Sequence, residues 1–254
     1  MTKRVYGYLR DREDPRDWKF NAVHAPGAIE LPEKVSLRDK FKEPPYDQGA
    51  LGSCSAQAAT AVFTYEHGGG PYSRLALYYW ERLMEGTVDQ DSGAYLRDAI
   101  QVLNKQGVGF EKDWPYDIAK FKDAPPQVEI DEAAQNKIVE YSRLDNGQEY
   151  KQCLADGYPF IIGIQIYESF ESQEVTDTGV VPMPKPNENC LGGHAVTVIG
   201  YNENYKTNMF CPGQCYYEVR NSWGTEWGDA GHFWIPAAYL ENPAFGSDAW
   251  TVRK

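Results

Sequence analysis

The chain has 254 residues, 42% apolar and 24% charged, enough for one large domain or for two lobes sharing a cleft. Acidic residues outnumber basic ones 37 to 25, and the net charge of -12 repels nucleic-acid phosphates and anionic lipid, so neither nucleic acid nor membrane is expected as a partner. No apolar run approaches the ~18 residues of a membrane span, and five scattered Cys do not make a disulfide framework.

The first residues, MTKRVYGYLRDREDPRDWKF, lack the continuous apolar stretch of a secretory signal, so as written the chain is not addressed for export. Up to about residue 35 the sequence is polar and interrupted by Asp-Pro-Arg-Asp (14–17), Ala-Pro-Gly (25–27) and Leu-Pro-Glu (31–33), which favour turns over helix. Residues 1–35 therefore read as an extended leader or strap, a candidate short propeptide, and residues 36–254 as the domain proper. SCSAQAATAVFTYEH (53–67) carries Ala56, Ala59 and Phe63 at helical spacing with Ser53 placed to cap the first turn, which predicts a buried helix. Further helices are predicted at 73–84 and 95–105, the latter stopped by Gln106-Gly107. From Pro159 the period changes to two: FIIGIQI (160–166), HAVTVIGY (194–201), CYYEVRNSW (215–223) and GHFWI (231–235) predict antiparallel strands. A helical half followed by a sheet half predicts an α+β fold with a cleft between the two.

The helix start carries the first chemical signal. Cys54 lies just past the N-cap position, where the unpaired N–H groups and the positive dipole end favour thiolate, so easy ionisation is expected. Gly49 and Gly52 let backbone approach a bound carbonyl, and Gln48 adds an amide donor. His194 opens a strand after Gly192-Gly193 and by itself fits a half-buried core histidine. Asn221, however, is a polar residue on the apolar face of the strand carrying Tyr217, Val219 and Trp223, and its amide needs a partner. The His194 imidazole on the neighbouring strand meets that need: Asn221 fixes one ring nitrogen, aims the other at Cys54, and Trp223 shields the bond.

With these residues in place, the sequence resembles the papain-like cysteine peptidases over roughly residues 36 to 254, in a divergent bacterial, archaeal or viral branch. DQGALGSCSAQ is similar to the family's nucleophile stretch, GGHAVTVIGY to its His strand, and VRNSWGTEWGDAGHFWI to its Asn-Ser-Trp-Gly run, in the family's order. His194 follows Cys54 by 140 residues and Asn221 follows it by 167, the first inside the rough 130–150 spacing and the second slightly beyond it. The resemblance implies a two-lobed fold, a helical left lobe against a barrel-like antiparallel right lobe. It also implies Cys54 as nucleophile, His194 as general base and acid, Asn221 as its orienting residue, and Gln48 with the Cys54 N–H as oxyanion hole. It places substrate against Gly52, Ser53, Gly93, Ala94, Tyr95, Gly163, Gly193 and Trp223. Of these, Ala94, Tyr95, Gly163 and Gly193 line the pocket for the side chain two residues before the scissile bond, where a bulky apolar or aromatic group is expected.

Departures are equally specific. Leu51 stands where the family commonly has a disulfide Cys, and DQDSGAYL (89–96) where its partner would sit; Ser55 and Gln57 replace Trp and Phe; and the leader is too short for the family's helical prodomain. Cys211 and Cys215 are either a small disulfide or two free thiols, and a zinc site with Cys190 and His194 is discarded. His24, His67, His232 and Gly68–Gly70 read as structural, and Asp89 and Asp91 as a solvated loop. The resulting expectation is a monomeric cysteine endopeptidase acting on peptide or protein through a thioester acyl-enzyme, needing no cofactor and no metal. The alternatives are a catalytically silent peptide-binding module and an acyl transferase using the same triad.

Overall fold

The computed structural model describes residues 4–20, 30–207 and 214–254. His24 and Cys211, and with Cys211 the question of a Cys211–Cys215 bridge, lie outside them. In chain order the elements are β1 (Tyr8–Leu9), β2 (Lys34–Ser36), α1 (Cys54–His67), α2 (Arg74–Glu85), β3 (Ala94–Tyr95), α3 (Leu96–Lys105), α4 (Gln127–Ala133), β4 (Glu140–Leu144), α5 (Gly147–Ala155), β5 (Phe160–Tyr167), α6 (Gln173–Thr178), β6 (Cys190–Asn202), β7 (Tyr216–Arg220), β8 (His232–Pro236), α7 (Ala237–Leu240) and β9 (Gly246–Arg253).

The three predicted helices appear within a residue or so of their expected ends because their stop signals are local. The Ser73 hydroxyl accepts from the Ala76 N–H at 3.2 Å to start α2, and Gly86, at φ 72°, closes it in the left-handed conformation. The first ten residues of α1 are buried on every face, as befits a helix sandwiched between the other helices and the sheet. Ser53 departs from its expected capping role. Its hydroxyl turns away to Tyr116 Oη at 2.6 Å and accepts from Gln57 Nε2 at 3.2 Å, making no cap bond.

Seven strands form an antiparallel sheet in the order β4-β9-β5-β6-β7-β8, with β2 on the free stretch of β6. The thirteen-residue β6 is its spine, bonding to β5, β7 and β2 and touching α1 through the Thr197 hydroxyl, which donates to the Ala58 carbonyl at 3.2 Å. Two apolar clusters result. One joins α1–α3 to Tyr8, Ile161, Ala195 and Trp250, and the other fills the barrel side around Ile162, Ile164, Val196, Tyr217 and Phe233. The cleft between them opens where α1 begins and β6 passes from Gly193 to Ala195.

Candidate active site

Cys54 is the first residue of α1 and is fully buried. Its sulfur lies against the backbone of Ala195 and Gly7, and burial pushes the thiol up to about 11, the backbone contacts only partly opposing the loss of water. The easy ionisation expected from the helix start is therefore not a property of this arrangement: a helix terminus cannot offset complete desolvation. Ser55, the next residue, donates to Oε2 of Glu81 at 2.6 Å. Glu81 is wholly buried on α2, and its carboxyl is held well above the ordinary range, chiefly by desolvation.

His194 and Asn221 meet as expected, Nε2 of the ring lying 2.8 Å from Asn221 Oδ1. Asn221 sits just beyond β7 rather than on it, fixed by its N–H to the Gly231 carbonyl at 3.0 Å. The Trp223 ring stacks on the imidazole at 5.0 Å and 27°, covering the pair. His194 Nδ1 has no hydrogen-bond partner among the described residues, and desolvation draws the ring down to about 4, so both thiol and imidazole are neutral here. Gln48 is clamped by Ser222: its Oε1 accepts from the Ser222 hydroxyl at 2.8 Å and its backbone N–H reaches the Ser222 carbonyl at 2.9 Å. Its Nε2 donates to the Leu51 carbonyl at 2.9 Å and to the Val5 carbonyl at 3.1 Å.

Val5 belongs to the segment that the sequence reads as a leader or strap. Residues 4–9 thread the cleft. The Arg4 guanidinium lies 4.3 Å over the Trp223 ring, Tyr6 packs beside the stacked His194 and Trp223 rings at 6.3 and 6.5 Å, and the Gly7 carbonyl accepts from the Ala94 N–H at 2.8 Å. β1 then pairs with β3 in parallel, Tyr8 opposite Ala94 and Leu9 opposite Tyr95. The Tyr8 ring covers Gly163 and Gly193, where any Cβ would overlap it, and Gly7 passes so close to Gly52 and Gly93 that only glycine fits. The cleft positions Gly52, Gly93, Ala94, Gly163, Gly193 and Trp223 are thus brought together around one peptide segment. Tyr95 joins them through its backbone pairing, and Ser53 turns its hydroxyl elsewhere.

Asp91 is exposed, as a solvated loop residue should be, yet both carboxylate oxygens accept from the Gly52 N–H (3.0 and 3.1 Å) and one takes the Tyr78 hydroxyl at 2.6 Å. It ties the loop before Cys54 to the loop before Gly93, where Leu51 and its counterpart leave no disulfide. Asp91→Ala is expected to lower thermal stability by about 1–2 kcal/mol, a few degrees at this chain length, with Asp91→Asn in between. An unchanged melting temperature in Asp91→Ala would refute the tie. His67, stacked 3.9 Å from Phe63, and His232, bonded to the Ala230 carbonyl at 3.0 Å, are structural. Among the described residues no group of His, Cys, Asp and Glu is arranged to hold a metal, and no helix is long and apolar enough to cross a membrane.

Comparison with known proteins places this cleft. The description "Papain family cysteine protease" matches residues 31–243. The chain is 36% identical to an uncharacterized peptidase C1-like protein of Acanthamoeba polyphaga mimivirus, over 99% of this chain and 87% of that one. It is 26% identical to cysteine proteinase 3 of Entamoeba histolytica over 80% of its own length, spanning 62% of that protein. Among solved structures it is similar to xylellain, a cysteine protease from Xylella fastidiosa, at 34% identity and a TM-score of 0.86, covering 98% of this chain and 96% of that one. The protein therefore belongs to the papain family and is a papain-like cysteine peptidase of α+β, two-lobed fold, from a divergent branch whose members include viral and bacterial proteins.

Proposed function

We propose that the protein is an endopeptidase using Cys54, His194 and Asn221, held in a closed state by its own residues 4–9. The observation that carries this reading is the Val5 carbonyl on Gln48 Nε2 at 3.1 Å: the donor assigned to a developing oxyanion already holds a peptide carbonyl beside the Cys54 helix start. Once the cleft is open to water and substrate, the proton of the thiol passes to His194 Nδ1 and the thiolate attacks the scissile carbonyl. The oxyanion is met by Gln48 and the Cys54 N–H, and the imidazolium then protonates the leaving amine. Water activated by the same ring hydrolyses the thioester. Every side chain in this sequence of steps comes from one chain, so a monomer suffices.

Polarity explains why the leader can lie there uncut. The leaving amine must be on the His194 and Trp223 side and the acyl half at Gly93–Ala94, so a productive substrate runs from Ala94 toward Trp223. The leader runs the other way, from Arg4 at Trp223 to Tyr8 at Ala94, and so presents its peptide bonds backwards.

Stoichiometric labelling of Cys54 by an epoxysuccinyl inhibitor, followed by peptide turnover with and without added amine, tests the reading and separates hydrolysis from acyl transfer. Cys54→Ala is expected to abolish turnover with the fold intact. Asn221→Ala should reduce it by less than the ~10²–10⁴ attributed to a general base, because the imidazole remains. Turnover surviving in Cys54→Ala would remove the nucleophile assignment.

A further inference from the structure

The pocket filled by Tyr8 has apolar walls but a polar floor. The Tyr8 hydroxyl donates to Asp248 Oδ2 and lies 2.7 Å from Ser247 Oγ. Asp248 is almost wholly buried, and its other oxygen, Oδ1, accepts from Arg143 Nη2 at 2.5 Å. Its position is set by a break in the β5–β9 register between Ile161 and Gly163, where β9 carries an extra residue, and by a backbone φ of 60° that a non-glycine residue adopts only at a cost. The bulge and the left-handed conformation thus set a buried carboxylate at the floor of the pocket that Tyr8 fills.

Resting on the endopeptidase reading above, we propose that Ser247 and Asp248 read a hydroxyl, so that the enzyme selects tyrosine two residues before the scissile bond. Tyr8 then shows the side chain the pocket takes, whatever the direction of its backbone. When the leader leaves, Oδ2 loses both the Tyr8 hydroxyl and the Asp11 N–H, which donates to it at 2.7 Å. A phenylalanine in the pocket leaves that buried oxygen without a donor, whereas a tyrosine restores one. Arginine and lysine gain little, because the Asp248 charge is already matched by Arg143.

The test uses the full chain carrying Tyr8→Ala, which empties the pocket while keeping the leader, and peptidyl electrophiles differing only in Tyr, Phe, Leu or Arg at that position. Covalent labelling of Cys54 is followed by intact mass. Tyr is expected to label at least about tenfold faster than Phe or Arg. Asp248→Gly, compatible with the positive φ, should bring the Tyr-to-Phe ratio close to one, and the milder Ser247→Ala should lower it several-fold. Iodoacetamide labelling in each background supplies the reference rate by which the peptidyl rates are divided, so that looser leader docking in a floor variant cancels from the Tyr-to-Phe ratio. Equal rates for Tyr and Phe, or a ratio unmoved by both floor variants, overturn the proposal and leave the peptidase reading standing. Iodoacetamide labelling without labelling by any peptidyl probe overturns both.

Discussion

Tyr8→Ala or Gly7→Val in the intact chain is expected to raise the rate at which iodoacetamide alkylates Cys54 by at least about a hundredfold. The Tyr8 ring is buried, worth about 2–3 kcal/mol, and its hydroxyl bond to a carboxylate adds about 1.5–3 kcal/mol, so losing both makes opening of the leader at least a hundredfold easier. Gly7→Val acts differently, because a side chain there meets the Gly52 carbonyl and the segment cannot seat. While opening is fast compared with alkylation, the rate follows the open population. Gly163→Leu attacks the same contact from the pocket side, since its side chain takes the space of the Tyr8 ring. An alkylation rate unchanged in all three variants, with only a lower melting temperature, would make the leader a structural strap and nothing more.

Leader release is expected to become easier as pH rises from about 4 to about 6. Three carboxylates, Asp11, Asp17 and Asp248, share two guanidiniums, Arg97 and Arg143, beside the Tyr8 hydroxyl and the Trp250 N–H, which donates to Asp11 Oδ2 at 3.1 Å. Burial, with the Asp248 charge second, raises Asp11 to about 6 in the docked leader, against ~3.9 for a free carboxyl. A carboxyl raised on docking is a group that docking protonates. Below about pH 4 both states are protonated and docking bears no penalty. Between about 4 and 6 the free leader is ionised while the docked one is not, and each pH unit weakens docking up to tenfold. Above about 6 the penalty is constant, between tenfold and a hundredfold in total. Asp11→Asn keeps the neutral form throughout, and the thiol's own titration cancels when its alkylation rate is compared with wild type. The ratio of wild-type to variant rates should climb through this window and level off. A flat ratio, or one falling with pH, would exclude Asp11 as the responsive group.

The neutral thiol and imidazole of the closed cleft, at about 11 and about 4, shape the pH profile of the open enzyme less than they suggest. Moving the proton from Cys54 to His194 changes the charge of each group but not the number of bound protons. Opening itself therefore adds no pH dependence from this pair in the middle range. The bell-shaped limbs of hydrolysis are expected to report the ion pair in the open state.

Local signals made much of this legible in the sequence. The helical spacing of Ala56, Ala59 and Phe63, the Gln106-Gly107 stop and the alternation of FIIGIQI act within a few residues, and the helices and the strands β5 to β8 follow from such signals. The partnership of His194 and Asn221 was legible because a polar residue on an apolar strand face demands a partner. Long-range features were not. β9 reads as broken alternation because its bulge at Asp248 spoils the period, and β1 is two residues long and exists only because the cleft offers the Ala94 N–H. The raised Cys54 thiol belongs with them, since dipole and capping are local to α1 whereas burial is a product of packing between segments far apart in the chain, Ala195 and Gly7 both lying against the sulfur.

The Asp91 tie has one more consequence. A cleft enzyme with a nucleophilic thiol needs reducing conditions to keep that sulfur uncapped, and a disulfide beside the site would be exposed to the same reductant. Here the loop presenting Gly52 ahead of Cys54 is fastened by a carboxylate, two N–H···O contacts and a phenol. A reductant that keeps the Cys54 thiol free leaves this fastening untouched, so the redox state of the medium acts on Cys54 without acting on the shape of the loop around it.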